Sequence, residues 1–572
     1  MGVFGLKTFL KREERVHIVN IIEEINNWKS GNPDQTPLIV VDFGSISHWA
    51  LAQNPKDTIC GGRHKVVAKS WKAMINSIHN TGCHMVFFSD LKNEEGKILT
   101  KITRKDEVFN RFANIYDEIS DGKTVDDILD SKKDTKALKW FDTLESIAVE
   151  FGEFHDSVHY DCDLECAQYA TQHNAMAVMS QDTDFLIFEG AWKLWSPDNI
   201  PISQSNEFKI NQYDRNAIKE ILSLEEHHWP IFASLAGNDL THEQFFIRKP
   251  QIERAARWTR KLNSVHPSDA DFRRVVAQFR HDDAAKAIDL IKESVRSYDL
   301  NFSPVIDDDP LIEGLSKTKT GIFRTYMTTL DRIYSIDMNY YDLRGCEQAE
   351  YLPILLIDWT KRRVGIVQKY KQSDENQIVL TFLAQKKFNE KFKEYKEEPE
   401  YPDFSVPPLI ELYLHEGNNE IIATKWKLLA FIMKLSDDEV TAIKGLPKEF
   451  ILISTIVFIL VKSRLITKKQ ADGILYTAHM VLDDKTNDVT YPTVLVAQHV
   501  RAAHIYNICF KPVKMNFEIA GLWSLMEVDL EFDGVYFQRL MELFDDMEMK
   551  KEDDEYVTFI APILKYRIYE KI

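Results

Sequence analysis

Short apolar, β-branched runs alternate with helical periodicity over the first 240 residues. Runs typical of buried strands lie at 38–41, 85–88 and 176–179, and weaker ones at 185–188 and 192–195. Apolar positions recur at helical spacing over 66–79 and 163–173. Strands that alternate with helices predict a parallel sheet with helices on both faces. We therefore predict an α/β fold here, with the 192–195 strand at an edge of the sheet.

Beyond residue 300 the pattern changes to helices with few strand signals. It predicts helices at 324–336, 351–370, 425–433, 450–465 and 491–510, and a loop over the proline-rich, charged stretch 393–408. The longest apolar run, 450–461, is shorter than the roughly 20 residues that cross a bilayer, so we predict a buried helix. The domains expected are an α/β domain (1–245), a basic helical extension (246–300) and a mostly helical C-terminal domain (301–572).

Aspartates follow the predicted strands. In open parallel sheets, ligands bind beyond the carboxyl ends of the strands, so side chains at these ends gather at one edge. Carboxylates brought together there repel one another unless cations lie between them, and carboxylate oxygens are the ligands that Mg²⁺ and Mn²⁺ prefer. The candidate metal ligands and catalytic residues are Asp42, Asp90, Asp161, Asp163, Asp182, Asp184 and Asp239.

Charge argues against a protein that coats nucleic acid through its overall electrostatics. The formal net charge of the chain is −18. One segment, 248–296, is an exception, with twelve basic and seven acidic residues. Helical spacing places Arg254, Arg257 and Lys261 on one face of it. That face is either a solvated helix surface or a surface that contacts phosphates.

The six cysteines show no disulfide-scaffold spacing, which favours free thiols in a reducing compartment. Cys162 and Cys166, four residues apart, are expected to pack one helix face rather than to bind zinc. The N-terminus has no apolar signal core. We expect a soluble intracellular protein that does not bind membranes, in the nucleus or the cytoplasm.

Several motifs carry a family resemblance. They are the N-terminal Met-Gly-Val-Phe-Gly-Leu, Val-Val-Asp at 40–42, Phe-Phe-Ser-Asp at 87–90, Asp-Cys-Asp-Leu-Glu-Cys-Ala at 161–167, Ser-Gln-Asp-Thr-Asp at 180–184 and Gly-Asn-Asp at 237–239. Together they resemble the flap endonuclease/XPG superfamily of PIN-like nucleases. Within it the chain looks most like the asteroid family, which includes the constitutive coactivators of peroxisome proliferator-activated receptor gamma.

The resemblance implies a PIN-like α/β/α domain with a two-metal Mg²⁺ or Mn²⁺ site formed by the seven aspartates. Asp161 and Asp163 stand where the superfamily usually has glutamates. Gly2, Lys101, Arg104 and Lys105 become candidates for contacts with nucleic acid. The glycine-rich helix-hairpin-helix that normally follows the last aspartate is absent from the sequence, and the basic segment takes its place.

The functional hypothesis is an endonuclease that hydrolyses branched or single-stranded DNA or RNA, with Arg254, Arg257 and Lys261 on phosphates. One alternative is an inactive PIN-like scaffold that binds RNA or protein partners in gene regulation or signalling. Another is an adaptor whose C-terminal half binds protein partners.

Overall fold

A computed structural model describes most of the chain. The described residues are 2–51, 54–90, 98–130, 141–157, 161–197, 208–241, 252–262, 267–277, 284–301, 333–335, 351–371, 379–384, 393–414, 418–525, 532–550 and 553–570. The chain forms two compact units. The first comprises Met1–Gln53, Lys69–Thr100 and Leu144–Asp307; the second comprises Asn54–Ala68, Lys101–Thr143 and Asp308–Ile572.

The first unit is built on a seven-stranded sheet of order β1-β7-β6-β5-β2-β3-β4. Its strands are β1 (Val16–Asn20), β2 (Leu38–Asp42), β3 (His84–Asp90), β4 (Glu153–Ser157), β5 (Ala177–Met179), β6 (Lys193–Ser196) and β7 (Lys209–Tyr213). The five strands from β6 to β4 are parallel, and β7 and β1 are added antiparallel. The predicted mostly parallel sheet is confirmed.

Helices pack against this sheet. Helices whose residues lie wholly or mainly in the first unit are α1 (Leu6–Arg12), α2 (Ile21–Gly31), α3 (Phe43–Leu51), α5 (His64–His79), α8 (Phe141–Phe151), α9 (Cys162–Gln172), α10 (Asn216–Leu222), α11 (Trp229–Ala236), α12 (Ile252–Arg260), α13 (Asp269–Val276) and α14 (Ala284–Arg296). All five residues of β2 are buried, as a central strand covered on both faces requires.

Alternate residues of the central strands contribute to different sides of the core. Val40, Val86 and Val178 share a core cluster with α9, α11 and the three helices of the basic segment. Phe87 points to the other face, where its ring contacts those of Phe43 and Phe154. The predicted α/β/α arrangement is thus present.

Three features of the sheet differ from prediction. Residues 183–186 form a 3₁₀ helix rather than a strand, because the Asp182 side chain accepts from the Asp184 backbone amide and caps the turn. The strand at 193–196 is internal and not at an edge. Strands β4 and β7 went unpredicted because they are rich in polar residues, and β1 went unpredicted although it carries three β-branched residues. Strands β1 and β4 are the real edges.

The second unit is mainly helical. Its elements are α4 (Pro55–Cys60), α6 (Ile98–Ser120), α7 (Val125–Asp130), β8 (Ile333–Ser335), α15 (Tyr351–Lys371), β9 (Leu380–Ala384), β10 (Lys393–Glu397), α16 (Leu409–Leu414), α17 (Asn419–Met433), α18 (Asp437–Lys444), α19 (Lys448–Lys462), α20 (Lys468–Leu482), α21 (Ala497–Ile519), α22 (Gly534–Lys550) and α23 (Asp553–Ile560). The strands form a three-stranded sheet of order β10-β9-β8. Helices α5, α6 and α8 each have residues in both units.

The predicted helices at 351–370, 425–433 and 450–465 match α15, α17 and α19, and α21 covers most of 491–510. The loop predicted at 393–408 is partly wrong because it begins with β10, whose lysines and glutamates hide the strand signal. Of the helix predicted at 324–336, only 333–335 is described, and it is a strand. Among the described helices, none has both the length and the apolar character needed to span a bilayer. The domain boundaries at 245 and 300 remain predictions.

Candidate metal centre

Three carboxylates converge at the carboxyl edge of the sheet. Asp163 lies in the first turn of α9, and Asp182 and Asp184 lie just after β5. One carboxylate oxygen from each of the three lies within 4.8 Å of the other two. The strand and the helix hold these side chains at fixed positions, and the 3₁₀ turn brings the i and i+2 aspartates to the same side.

Asp42 joins this group from the end of β2, which pairs directly with β5. It is 8% exposed, Ser180 Oγ donates to its Oδ2 over 2.6 Å, and the Ser45 amide donates to its Oδ1 over 3.2 Å. Burial raises the pKa of Asp42 and the nearby Asp182 raises it further, while the two serines oppose the shift. Hereafter Asp42, Asp163, Asp182 and Asp184 are called the acidic cluster.

The acidic cluster carries more negative charge than its surroundings balance. Burial raises the pKa of Asp163 well above its ordinary value, and the charges of Asp182 and Asp161 add to the effect. Burial and Asp182 do the same to the pKa of Asp184. Partly buried carboxylates that repel one another and offer hard oxygen ligands fit a divalent cation of the Mg²⁺ or Mn²⁺ class.

The other three predicted aspartates surround the cluster. Asp161 immediately precedes α9 and acts electrostatically on Asp163, while Asp239 acts on Asp184. Asp90 is the last residue of β3 and its side chain is exposed. Its negative charge contributes to raising the pKa of the Cys162 thiol. All seven aspartates therefore belong to one edge of the sheet or its surroundings. Four of them form the acidic cluster.

The N-terminal segment packs against the cluster. Phe4 N donates to Gly237 O over 2.7 Å, and Thr183 Oγ1 donates to Val3 O over 3.4 Å. Gly2 has φ +57°, and a Cβ at this position would overlap Asp182 Oδ1. Glycine is required here both for the backbone conformation and for the close approach.

Tyr298 is a site residue that the sequence did not reveal. It follows α14, 114 residues from Asp184 in the chain, and its hydroxyl donates to Asp184 Oδ1 over 2.6 Å. No motif at Tyr298 indicates this contact. The sequence analysis also gave Ser180 no role in the site. Its position at the end of β5, within the Ser-Gln-Asp-Thr-Asp motif, could have indicated one.

The basic residues of α12, and Lys261 just after its end, lie where the periodicity predicts. Arg254, Arg257 and Lys261 are exposed, and Ile252 and Ala255 are buried on the opposite side. The Arg254 guanidinium lies 4.7 Å from the centroid of the Trp258 ring, a cation–π contact that orients it. Residues 242–251, which include Arg248 and Lys249, lie outside the described part of the chain.

The other basic residues predicted to contact nucleic acid are Lys101, Arg104 and Lys105, and they belong to α6. Lys105 is half-buried on α6 in the second unit. The side chains of Lys101 and Arg104 lie outside the described part of the structure. The roles of all three residues stay predictions.

The described cysteines are free and buried. Cys162 and Cys166 both face the core, as expected.

Comparisons with known proteins agree with the motifs. No protein-family model matches the sequence. The constitutive coactivator of peroxisome proliferator-activated receptor gamma from Mus musculus is 26% identical over 261 residues, which cover 43% of this chain and 30% of that protein. The Homo sapiens protein of the same name is 26% identical over 261 residues, covering 43% of this chain and 26% of its own. This chain therefore matches about a third or less of these relatives' length.

Solved structures show weaker likeness. The catalytic core of Rad2 in complex with DNA substrate is 14% identical, with a TM-score of 0.32 and coverage of 57% of this chain and 98% of that one. The Holliday junction-resolving enzyme GEN1 in complex with product DNA and Mg²⁺ is 13% identical, with a TM-score of 0.35 and coverage of 65% and 81%. The fold is established by the sheet order and not by these scores. Over the matched region the chain is similar to the asteroid-type coactivators, as its motifs predict.

Proposed function

We propose that this protein is a divalent-metal-dependent nuclease that hydrolyses phosphodiester bonds. One observation carries the proposal: oxygens of Asp163, Asp182 and Asp184 approach within 4.8 Å of one another beyond the end of β5. Without a cation, three carboxylates at this separation destabilise the fold through mutual repulsion. A protein that keeps such an arrangement gains from binding a cation there.

Asp42, Asp163, Asp182 and Asp184 would hold Mg²⁺ or Mn²⁺, with Asp90, Asp161 and Asp239 contributing through water. When bound, divalent cations lower the pKa of water and neutralise charge on a phosphodiester. The protein contributes to this chemistry by holding the carboxylates in fixed orientations. Ser180 orients Asp42, and the 3₁₀ turn that Asp182 caps sets the direction of Asp184.

The basic surface supplies the affinity for the polymer in this proposal. Because the whole chain has a net charge of −18, attraction to phosphates has to come from a local patch. The exposed Arg254 and Arg257 on α12, with Lys261 just after its end, form such a patch in the same unit as the acidic cluster. Contacts of this kind position a substrate without reading its sequence.

The substrate class that we propose is branched or single-stranded DNA or RNA. The sequence lacks the glycine-rich helix-hairpin-helix that would follow Asp239 and grip a duplex through backbone amides. Asp161 and Asp163 are one methylene shorter than the superfamily's usual glutamates, which widens the gap that a cation or a water molecule fills.

Cleavage of labelled substrates tests this proposal. Flap DNA, single-stranded DNA and single-stranded RNA are incubated with the full chain and Mg²⁺, Mn²⁺ or EDTA. We expect metal-dependent products that Asp182→Asn abolishes and that Asp34→Asn, at an exposed site of the same unit, leaves unchanged. Cleavage that is equal in Asp182→Asn and the unmodified protein, or absent from all three substrates, contradicts the proposal.

The relatives are named as coactivators, and this favours one second candidate, a scaffold that binds partners without cutting. A scaffold retains nucleic-acid or protein binding when the acidic cluster is neutralised and when divalent cations are removed. Equilibrium binding of the same RNA by the unmodified protein and Asp182→Asn, with and without EDTA, separates the two. Equal affinity in all four conditions, together with no cleavage, supports the scaffold.

A further inference from the structure

Tyr298 connects the basic segment to the acidic cluster. It lies two residues beyond the end of α14, and its side chain is only 6% exposed. Its hydroxyl donates to Asp184 Oδ1 over 2.6 Å. Hydrogen bonds from a hydroxyl to a carboxylate of this length are charge-assisted and are stronger than those between neutral groups.

A second buried residue holds the hydroxyl in place. Asn238 Nδ2 donates to Tyr298 Oη over 3.1 Å and to Ser294 Oγ over 2.7 Å. Asn238 is itself fixed, since its Oδ1 accepts from the amides of Leu240 and Thr241 over 3.2 Å each. Because the Tyr298 hydroxyl accepts from Asn238, it is left to donate its single hydrogen to Asp184.

We propose that Tyr298 is a positioning residue that fixes the orientation of the Asp184 carboxylate for binding of a divalent cation by the acidic cluster. This inference rests on the proposed function. A carboxylate with one oxygen anchored cannot rotate freely, so the direction of its other oxygen is set as well. Groups that orient metal ligands in this way typically contribute about 10–100-fold to metal affinity.

The hydrogen-bond chain also gives the basic segment a structural role at the site. Ser294 lies on α14 and Asn238 follows α11, and both are buried. The anchor of Asp184 therefore depends on α14 being packed against α11. The segment that carries the basic residues is thus needed to complete the acidic cluster, and not only to attract phosphates.

A double-mutant cycle in Mn²⁺ binding tests the inference. The metal-free protein is titrated with MnCl₂ by calorimetry as the unmodified chain, Tyr298→Phe, Asp184→Asn and the double variant. We expect Tyr298→Phe to weaken Mn²⁺ binding by about tenfold or more. In the Asp184→Asn background, titrated into the millimolar range, the same change should have almost no effect, because the carboxylate that it positions is gone.

A matched control removes a hydroxyl elsewhere in the same unit. Tyr169 lies on α9, where its ring contacts Phe88 and His173, and Tyr169→Phe should leave Mn²⁺ affinity unchanged. Equal weakening by Tyr298→Phe in both backgrounds would show a general structural effect and overturn the positioning role. An unchanged affinity in Tyr298→Phe would overturn it too.

Folding is checked by the melting temperature of each variant without metal. Should Tyr298→Phe fail to fold, Ser294→Ala carries the test, because it removes the outer link and leaves the tyrosine in place. We then expect weaker Mn²⁺ binding from Ser294→Ala, and unchanged binding refutes the inference. If the unmodified protein takes up no Mn²⁺, the proposed metal centre itself is contradicted. This result distinguishes failure of the proposed function from failure of the inference about Tyr298.

Discussion

Ser180 Oγ donates a hydrogen bond of 2.6 Å to Asp42 Oδ2, and it also accepts from the Asp182 amide over 2.9 Å. One fully buried hydroxyl thus ties the end of β2 to the turn after β5. It orients one carboxylate of the acidic cluster directly and another through its backbone. The geometry of the candidate metal centre depends on this residue as much as on the aspartates.

Ser180→Ala should loosen this edge of the sheet. The change leaves the Asp42 carboxylate and the Asp182 amide without their shared partner, which costs about 1–3 kcal/mol when the groups are buried. We expect faster hydrogen exchange in peptides that cover 38–45 and 176–184. Ser30→Ala, which removes an exposed helical serine hydroxyl of the same unit, is the control. Equal exchange in Ser180→Ala and the unmodified protein would contradict the assigned role.

Asp163→Asn should have opposite effects on stability with and without metal. In metal-free protein at pH 7 it removes a carboxyl whose charged form is disfavoured by burial and by the neighbouring aspartates, so we expect the free energy of unfolding to increase. Saturating Mn²⁺ should stabilise the unmodified protein by about 2.7 kcal/mol at 100 times the dissociation constant. The variant should lose most of that gain.

Thermal melts of both proteins with Mn²⁺ and with EDTA measure this crossover. The isosteric change Asp34→Asn at an exposed site controls for the loss of a carboxylate as such. A variant that is less stable than the unmodified protein in EDTA and gains equally from Mn²⁺ would be incompatible with a metal centre at Asp163.

Removing the basic face of α12 should weaken nucleic-acid binding without affecting metal uptake. The triple change of Arg254, Arg257 and Lys261 to alanine removes up to three phosphate contacts. The slope of log affinity against log salt should therefore become shallower by up to about 2–3. Fluorescence anisotropy at several salt concentrations gives the slope.

A charge-matched triple change of Lys29, Lys69 and Lys209 to alanine, at exposed lysines elsewhere in the first unit, is the control. It lowers the net charge equally but should leave the slope close to that of the unmodified protein. The same slope for both triple variants would show that α12 is an ordinary solvated helix.

The stability of the second unit should depend on pH through Asp57. Burial raises the pKa of this carboxyl to about 6, with Tyr491 and Arg63 opposing the shift. The folded protein therefore holds a proton that the unfolded chain releases near pH 4. Between these values the unfolding free energy falls as pH rises, by up to about 3 kcal/mol in total.

Asp57→Asn should remove that dependence, because an amide does not titrate in this range. The local structure should be kept, since the amide oxygen can still accept from the Tyr491 hydroxyl, which donates to Asp57 Oδ1 over 2.8 Å. Urea unfolding from pH 4 to pH 7 should show a flatter profile for the variant than for the unmodified protein. Asp130→Asn, on the exposed side of α7, is the control. Parallel profiles for Asp57→Asn and the unmodified protein would rule out the assignment.

The sequence predicted the centre of the sheet well because β2, β3 and β5 are continuous apolar runs that end at or just before aspartates. It did not predict β4, whose residues Glu153 and His155 carry no hydrophobic signal. It also placed a strand at 185–188, where a side-chain cap makes the chain turn instead. In that segment a local hydrogen bond decided the structure, and the apolar pattern did not.

Of the candidate metal centre, only the carboxylates that would bind the metal could be predicted from the sequence. The aspartates have motifs around them, whereas Tyr298 acquires its role solely through the packing of α14 against α11. In the same way, residues 54–68 and 101–143 lie in the second unit through contacts distant in sequence, which periodicity cannot indicate. The identity of the metal-binding side chains can therefore be predicted from local sequence motifs. Their orientation depends on the tertiary structure.

The central claim is that the acidic cluster binds divalent cations. Anomalous diffraction from crystals of the protein soaked in MnCl₂ tests it most directly, because the manganese signal locates the ion without reference to activity. The account predicts an anomalous peak within coordination distance of Asp163, Asp182 and Asp184 that disappears in Asp163→Asn crystals. Crystals of the unmodified protein that diffract well, with these carboxylates ordered and no anomalous peak between them, would contradict it.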